Sequence, residues 1–190
     1  MTFKAAYKVT AVLAALATFG ALNAQAQTAP ETAPPAAAAP AQAAPADASN
    51  PAKDFIRQAF LANEFGIAAA QVAIAKAQSP ATKAAAQSVL NDGMKVRQDM
   101  ITAIQGSTSD MHFDQSWDAD YKARLADLQT AADADFDQKF AATEGQILTQ
   151  AASAASAYAA TGGDAAVKTF AAGAQPIFQA DAAKLAATAG

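Results

Sequence analysis

The sequence predicts an all-α domain, an up-and-down bundle of four main helices with a short extra crossover helix. Apolar residues recur at three- and four-residue spacing in four long segments, which is the period of an amphipathic helix. Proline, glycine and acidic residues mark the points where these segments begin and end. No stretch shows the alternation of apolar and polar residues that is typical of a β-strand.

A serine-proline pair separates the first two long helices. Helix one is predicted from Pro51 to about Gln78, since proline is favoured in the first helical turn. Ser79 and Pro80 then supply the N-cap and first residue of helix two, which is predicted to end at Gln105. The apolar stripes of the two helices are Ile56, Phe60, Ile67, Ala70 and Ile74, and Ala86, Val89, Gly93, Val96, Met100 and Ile104.

The crossover helix and the last two long helices follow a polar loop over residues 107–116. Helix three is predicted to begin around Asp133 to Asp135, because carboxylates suit the positive end of a helix dipole, and to end before Gly162. Helix four is predicted to begin at Asp164 and to kink at Pro176, which removes one backbone hydrogen bond. The crossover helix is predicted to pack onto the bundle through one face, formed by Trp117, Tyr121, Leu125 and Leu128.

Residues 1–26 are typical of a cleavable secretory signal peptide. Lys4 and Lys8 precede an apolar stretch over residues 9–22, and small residues before Gln27 place the cleavage after Ala26. An uncleaved membrane anchor is the alternative, but the apolar stretch is shorter than the roughly 20 residues that span a bilayer. The expected location is the bacterial periplasm, free or associated with the outer membrane.

Residues 27–50 are predicted to be an extended, disordered linker rich in alanine and proline, followed by a helical bundle domain over residues 51–188. Proline lacks a backbone donor and disfavours helix in the residue before it. The linker contains five prolines, at positions 30, 34, 35, 40 and 45.

Composition excludes several classes of function. The chain has no cysteine, so disulfides, thiolate nucleophiles, cysteine-based metal sites and a lipoprotein anchor are all excluded. Its formal net charge is -4, which does not favour nucleic acid or anionic lipid as a partner. An unknown protein or small molecule remains as the expected partner, and the oligomeric state is left open.

Short pieces of the helices carry a resemblance, namely Ala62-Asn63-Glu64, residues 73–80, Lys83, Asn91-Asp92, residues 136–140, residues 168–171 and Pro176. In their order and spacing they resemble the ferritin-like bacterial envelope family catalogued as domain of unknown function 4142, often labelled putative outer membrane protein. The resemblance covers about Pro51 to Ala187. It implies a ferritin-like four-helix bundle in the bacterial envelope and no established reaction.

The same resemblance implies three histidines that this chain lacks. Relatives usually carry histidine at the positions where Gly93, Leu148 and Asp181 stand here. If those histidines bind a metal or transfer protons in relatives, this chain has lost that role.

The standard di-iron site of ferritins is also excluded. Such a site needs a glutamate from each of two helices and a Glu-x-x-His pair from each of the other two. The predicted bundle contains only Glu64 and Glu144, and the chain has no Glu-x-x-His. No cofactor and no metal site are therefore predicted.

Four carboxylates form a candidate polar pocket, namely Glu64, Asp92, Glu144 and Asp181. Glu64 lies beside the apolar stripe of helix one. It is either a residual ligand or proton carrier, or more simply a boundary carboxylate bonded to a neighbour. Asp181 follows Phe178 by three residues on the apolar face of helix four, and the simpler interpretation is that water reaches it. We test the hypothesis that Glu64 and Asp181 share one pocket.

Other candidate groups do not complete a site. His112 is the only histidine, and with Met111 it would give copper too few ligands. Met94 and Met100 are predicted to lie in the core. A Ser-His-Asp arrangement could use only His112, and no phosphate-binding glycine loop is present, so no enzymatic activity is predicted.

Two functions remain open. The first is an exported, non-enzymatic helical-bundle protein of the bacterial envelope that acts as a binding or stress-related module. The alternative is a ferritin-like binder of a metal or small ligand with a reduced carboxylate site. Carboxylates that converge inside the bundle would favour the alternative, and a wholly apolar interior would favour the first.

Overall fold

The computed structural model describes residues 49–188, and these residues form five α-helices and no strand. The prediction of an all-α fold is therefore confirmed. The predicted signal peptide and nearly all of the predicted linker lie outside the described residues. The helices are α1 Pro51–Lys76, α2 Pro80–Gly106, α3 Ala119–Thr130, α4 Asp133–Thr161 and α5 Ala165–Ala186.

The four long helices contact one another in a closed ring. Helix α1 packs against α2 and α4, and α5 packs against the same two helices from the other side. The short helix α3 lies on α1 and α4. One core therefore runs between the four long helices, and any side chain that points into it is surrounded on all sides.

Alanine and a few large side chains fill this core. Many alanines are buried on every long helix, which lets neighbouring backbones approach closely. Phe65 and Leu128 are fully buried, and the Phe65 ring lies 5.6 Å from the ring of Tyr121 and 6.2 Å from that of Trp117. These aromatic contacts join the crossover region to α1 as predicted, but Trp117 precedes α3 and is not part of that helix.

One of the two methionines that were predicted to lie in the core does so. Met100 is buried as predicted, but the prediction for Met94 is wrong, because Met94 is 50% exposed. Gly93 faces the core, and the next residue of a helix is turned by about 100° away from it. Helix α5 continues through Pro176 without interruption to Ala186.

Two aspartates connect the helix ends to neighbouring loops. The Asp137 carboxylate on α4 accepts hydrogen bonds from the backbone nitrogens of Gln78 and Ser79, at 3.0 and 2.7 Å. Asp164 is the N-cap of α5 and accepts from the backbone nitrogen of Val167 at 3.0 Å. Its other oxygen accepts from Ser107 Oγ at 2.7 Å, across the bundle end.

Within the described residues, no helix is both long enough and apolar enough to span a membrane.

Removing the Asp164 carboxylate should destabilise the fold more than removing a cap that serves one helix only. Asp164→Ala loses the N-cap bond and the contacts to the loop after α2, so we expect the free energy of unfolding to fall by roughly 1–3 kcal/mol. Asp118→Ala is the matched control, because Asp118 caps α3 through a single bond to the Tyr121 nitrogen. Urea denaturation measures both, and an equal loss for the two variants would contradict this role of Asp164.

Candidate functional site

The most unusual polar group in the described structure is the carboxyl of Glu144 on α4. Its exposed fraction is 0%, and neither Oε1 nor Oε2 has a hydrogen-bond partner within residues 49–188. Water stabilises a carboxylate far better than an apolar interior does, so burial favours the protonated acid. Burial, and to a smaller extent the negative charge of Asp181, raise the pKa of Glu144 from 4.5 to about 8.

One glycine makes room for this carboxyl, and a second glycine lines the same cavity. A Cβ atom at Gly66 on α1 would lie 2.5 Å from Glu144 Oε1, closer than any stable contact. A Cβ atom at Gly93 on α2 would lie 2.9 Å from Ile67 Cγ1. Asn63 connects these two helices, since its Nδ2 donates to the Gly93 carbonyl at 3.1 Å. Glu144 Oε1 therefore occupies space that exists only because position 66 lacks a side chain, whereas the absence of a side chain at position 93 leaves room for Ile67.

A cavity of about 10 Å³ lies beside the Glu144 carboxyl. This is close to the smallest volume that holds one water molecule, and it is far too small for an organic substrate. The polar side chains that line it belong to Asn63, Glu144 and Asp181. All four long helices contribute to the lining, which is completed by Ala62, Gly66, Val89, Gly93, Val96, Leu148, Ile177 and Phe178.

Asp181 on α5 is the second buried carboxyl at this cavity. It is 2% exposed, so the expectation that water reaches it is wrong. Its Oδ1 accepts from Lys184 Nζ at 2.7 Å and lies 3.3 Å from Ser88 Oγ on α2. These two side chains cover it where α5 packs on α2. Burial raises the pKa of Asp181, and the hydrogen bond from Lys184 opposes that shift only in part.

Asp92 extends this polar cluster towards the surface. Its Oδ2 lies 3.2 Å from Ser88 Oγ and 3.4 Å from Lys184 Nζ. The Asp92 side chain is 36% exposed, whereas that of Asp181 is 3% exposed. Lys184 thus joins a carboxylate at the surface to a carboxylate in the interior, and its own pKa is raised first by the hydrogen bond to Asp181.

Glu64 stands apart from this cluster. Its oxygens accept from Arg97 on α2, with Nε to Oε1 at 2.7 Å and Nη2 to Oε2 at 2.5 Å. It is not among the residues that line the cavity. The structure therefore places Glu144 and Asp181 at one cavity, and Asp92 contacts the same lysine as Asp181. It places Glu64 in a separate ion pair, the simpler arrangement that the sequence offered.

Residues 49–188 contain no group of three or more histidine, aspartate or glutamate side chains close enough to hold a metal ion. The His112 side chain is fully exposed and contacts Asp110 Oδ1 at 2.7 Å. The cavity itself offers two carboxyl groups and the amide of Asn63, which are all oxygen donors.

Sequence reasoning missed four residues of the site. Asn63 and Gly66 line the cavity, and Ser88 and Lys184 contact the Asp181 carboxyl. One signal was available for Lys184, since it follows Asp181 by one helical turn and shares its face. The other three make their contacts with residues on other helices, and such contacts leave no pattern in the nearby sequence. The positions at which the resemblance implies histidine, now Gly93, Leu148 and Asp181, all line this one cavity.

The buried acid should make stability depend on pH. The folded protein keeps the Glu144 proton up to about pH 8, whereas the unfolded chain releases it near pH 4.5. The folded state binds more protons between these values, so the free energy of unfolding should fall as pH rises, by up to about 1.4 kcal/mol per pH unit. The stability that this proton contributes is fully present below the pKa of Glu144 in the unfolded chain, and it is lost as the pH rises above the pKa in the folded protein.

Urea denaturation from about pH 5 to about pH 8 measures this slope. Glu144→Gln keeps the shape of the side chain but has no proton to lose, so its free energy of unfolding should fall much less as the pH rises. Glu64→Gln changes a residue outside the cavity, and its free energy of unfolding should fall with pH as in wild type. The same slope for all three proteins would show that Glu144 does not titrate as a buried acid.

Comparison with known proteins gives a family and no individual relative. The sequence model of the family described as Domain of unknown function (DUF4142) matches residues 37–187. A search of curated proteins and a search of solved structures each found no match. Since the matched segment includes all five helices and is most of the chain, the protein belongs to the DUF4142 family.

Proposed function

We propose that this protein is an exported, non-enzymatic helical-bundle protein of the bacterial envelope that binds one small cation at a carboxylate site reduced to Glu144 and Asp181. This is the alternative that the sequence kept open. We further propose that its four long helices have the ferritin-like up-and-down topology, which agrees with their closed ring of contacts and the short turns between α1 and α2 and between α4 and α5.

Export is supported by the sequence alone. The basic residues, apolar stretch and small residues of positions 1–26 have the order of a secretory signal peptide. The alanine- and proline-rich segment after it suits a spacer between an export signal and a folded domain. The absence of cysteine agrees with a protein that is not attached through a lipidated cysteine.

The observation that carries the binding proposal is the unpaired carboxyl of Glu144. Buried polar groups are almost always hydrogen-bonded, and one without a partner needs a specific explanation. Both oxygens of Glu144 lack a partner and lie beside a cavity that a second buried carboxyl shares. A small species in that cavity would satisfy both groups at once.

The dimensions and charge of the cavity limit what this species is. A volume of about 10 Å³ admits a single ion or water molecule and no organic ligand. The carboxyl groups around it would attract a positive charge and repel an anion. The same dimensions support a non-enzymatic role, since the cavity cannot hold a substrate.

The first test is the metal content and thermal stability of the protein purified from the periplasm without an affinity tag. We expect stoichiometric metal by mass spectrometry, or a higher melting temperature when iron, manganese, zinc or copper is added. At about 100 times the dissociation constant, a ligand stabilises the folded state by about 2.7 kcal/mol, or roughly 5–10 °C in melting temperature.

Two pairs of variants make this test specific. Glu144→Gln should abolish the shift and Glu64→Gln should keep it, because only the first removes a carboxyl from the cavity. Gly66→Ala should also abolish it, since the added methyl group displaces Glu144 Oε1. Gly145→Ala is the control, with no atom within 4 Å of the new methyl group. Wild-type protein without metal and without any shift would refute the proposal.

A protein-binding role is the second candidate function. Met94 and Ile101 are 50% and 41% exposed, and they are the large apolar side chains that α2 exposes. They lie seven residues apart, so both occupy the same outward face of the helix. A partner that covers this face would remove both side chains from water.

If a partner docks there, the double variant Met94→Gln/Ile101→Gln should lose it while the fold is retained. Affinity capture of envelope proteins, followed by a binding titration with the captured partner, measures this. Glu144→Gln should bind the same partner as tightly as wild type, because the cavity is buried. Equal capture by the double variant and by wild type would exclude this face as the binding surface.

A further inference from the structure

We infer that Met94 is a site of reversible oxidation by hydrogen peroxide, and that Arg97 binds the sulfoxide that forms. This inference goes beyond the proposed function, because it uses neither the cavity nor a bound cation. It depends on the exposure of the Met94 thioether, on the hydrogen-bond donors that Arg97 places beside it, and on the burial of the other methionines of residues 49–188.

The Met94 thioether lies where a small solute can reach it. Met94 is 50% exposed, whereas Met100 on the same helix is 2% exposed and Met111 in the following loop is 9% exposed. Oxidation requires contact between the sulfur and the oxidant, and a side chain that is packed in the core is shielded from solutes. The chain has no cysteine, so no thiolate competes for the oxidant. Peroxide should therefore modify Met94 before the two buried methionines.

Arg97 follows Met94 by three residues on α2 and places its guanidinium beside the sulfur. Its Nε and Nη2 donate to Glu64 Oε1 and Oε2, at 2.7 and 2.5 Å, and this pair of bonds orients the guanidinium. Its Nη1 donates to Met94 Sδ at 3.8 Å, and within residues 49–188 this nitrogen has no other partner. A guanidinium has five N–H donors, so Nη1 can still bind a stronger acceptor than sulfur.

The oxygen of a methionine sulfoxide is such an acceptor. Thioether sulfur accepts hydrogen bonds weakly, whereas oxidation makes the same side chain polar. An oxygen bonded to Met94 Sδ can come within hydrogen-bonding distance of Arg97 Nη1, because the sulfur itself already lies 3.8 Å from that nitrogen. A hydrogen bond from a charged donor is stronger than one between neutral groups. The guanidinium that Glu64 orients therefore binds the oxidised side chain better than the reduced one.

The oxidation needs only the thioether and the peroxide. A lone pair of Met94 Sδ attacks one oxygen of hydrogen peroxide, so an S–O bond forms and the O–O bond breaks. The other oxygen leaves as hydroxide and takes the proton of the new S–OH group, which gives sulfoxide and water. Sulfur loses two electrons and the peroxide gains them. A methionine sulfoxide reductase restores the thioether with a dithiol as reductant, which becomes a disulfide while the oxygen leaves as water.

The first test follows the oxidation of Met94, Met100 and Met111 by peptide mass spectrometry after the wild-type protein is treated with hydrogen peroxide. In the folded protein we expect Met94 to be oxidised at least about tenfold faster than the two buried methionines. In urea the three rates should become similar, because unfolding exposes all three sulfur atoms. Similar rates for the three methionines of the folded protein would overturn the inference.

The second test measures the melting temperature before and after oxidation of Met94 alone, in wild type and in Arg97→Gln. The variant loses the ion pair with Glu64 in both oxidation states, so the change on oxidation isolates the contact between Arg97 and the sulfoxide. We expect the change on oxidation to be more favourable in wild type by at least about 2 °C. Arg97→Lys should resemble Arg97→Gln, because a lysine that pairs with Glu64 has no second donor group oriented towards residue 94.

Arg124→Gln is the matched control, since Arg124 also forms an ion pair, with Asp120 on α3, a helix that contains no methionine. Its response to oxidation should equal that of wild type, and Met94→Leu should not respond. Equal changes in melting temperature for wild type, Arg97→Gln and Arg97→Lys would overturn the role of Arg97. A sulfoxide that reductases for both epimers leave intact would overturn the reversibility. The metal and partner tests of the proposed function are decided separately from these results.

Discussion

The position of the Glu144 carboxyl is the constraint on which the rest of the bundle interior depends. Its pKa of about 8, against 4.5 in water, corresponds to roughly 5 kcal/mol for burying the ionised form. Folded domains are stable by only about 5–15 kcal/mol. The fold therefore tolerates Glu144 as a neutral acid, or with a cation beside it. The absence of a side chain at Gly66 provides the space that the carboxyl requires in either state.

Two buried carboxyl groups share this interior and differ in the partners that their neighbours offer. Asp181 has a hydrogen bond from Lys184, which opposes only in part the rise in its pKa that burial causes. Glu144 has no such partner, and the charge of Asp181 further disfavours its ionisation. Burial raises the pKa of both acids, and shifted pKa values of this kind are common where proteins bind ions or move protons. This asymmetry, rather than the number of carboxylates, distinguishes the cavity from the ordinary polar surface of the bundle.

The sequence predicted the helices well because their ends carry local signals. Helix α1 begins at the predicted Pro51 and ends two residues before Gln78, and α4 runs from the predicted Asp133 to the residue before Gly162. The site was harder to predict because its contacts cross between helices. Ser88 and Asp181 are 93 residues apart, and no spacing rule connects them. Periodicity placed Asp181 beside the apolar face but could not decide whether water reaches it, since a small rotation of α5 changes the answer.

The departures from the family resemblance meet at the same place as the buried acids. Gly93, Leu148 and Asp181 line one cavity, so the positions that the resemblance assigns to histidine are neighbours in space. Histidine cannot replace Gly93 here without other changes, because even a Cβ atom would lie 2.9 Å from Ile67 Cγ1. Ile67 and Gly93 are therefore a matched pair that fills the volume an imidazole would need. A histidine at position 93 would accordingly require a smaller side chain at position 67.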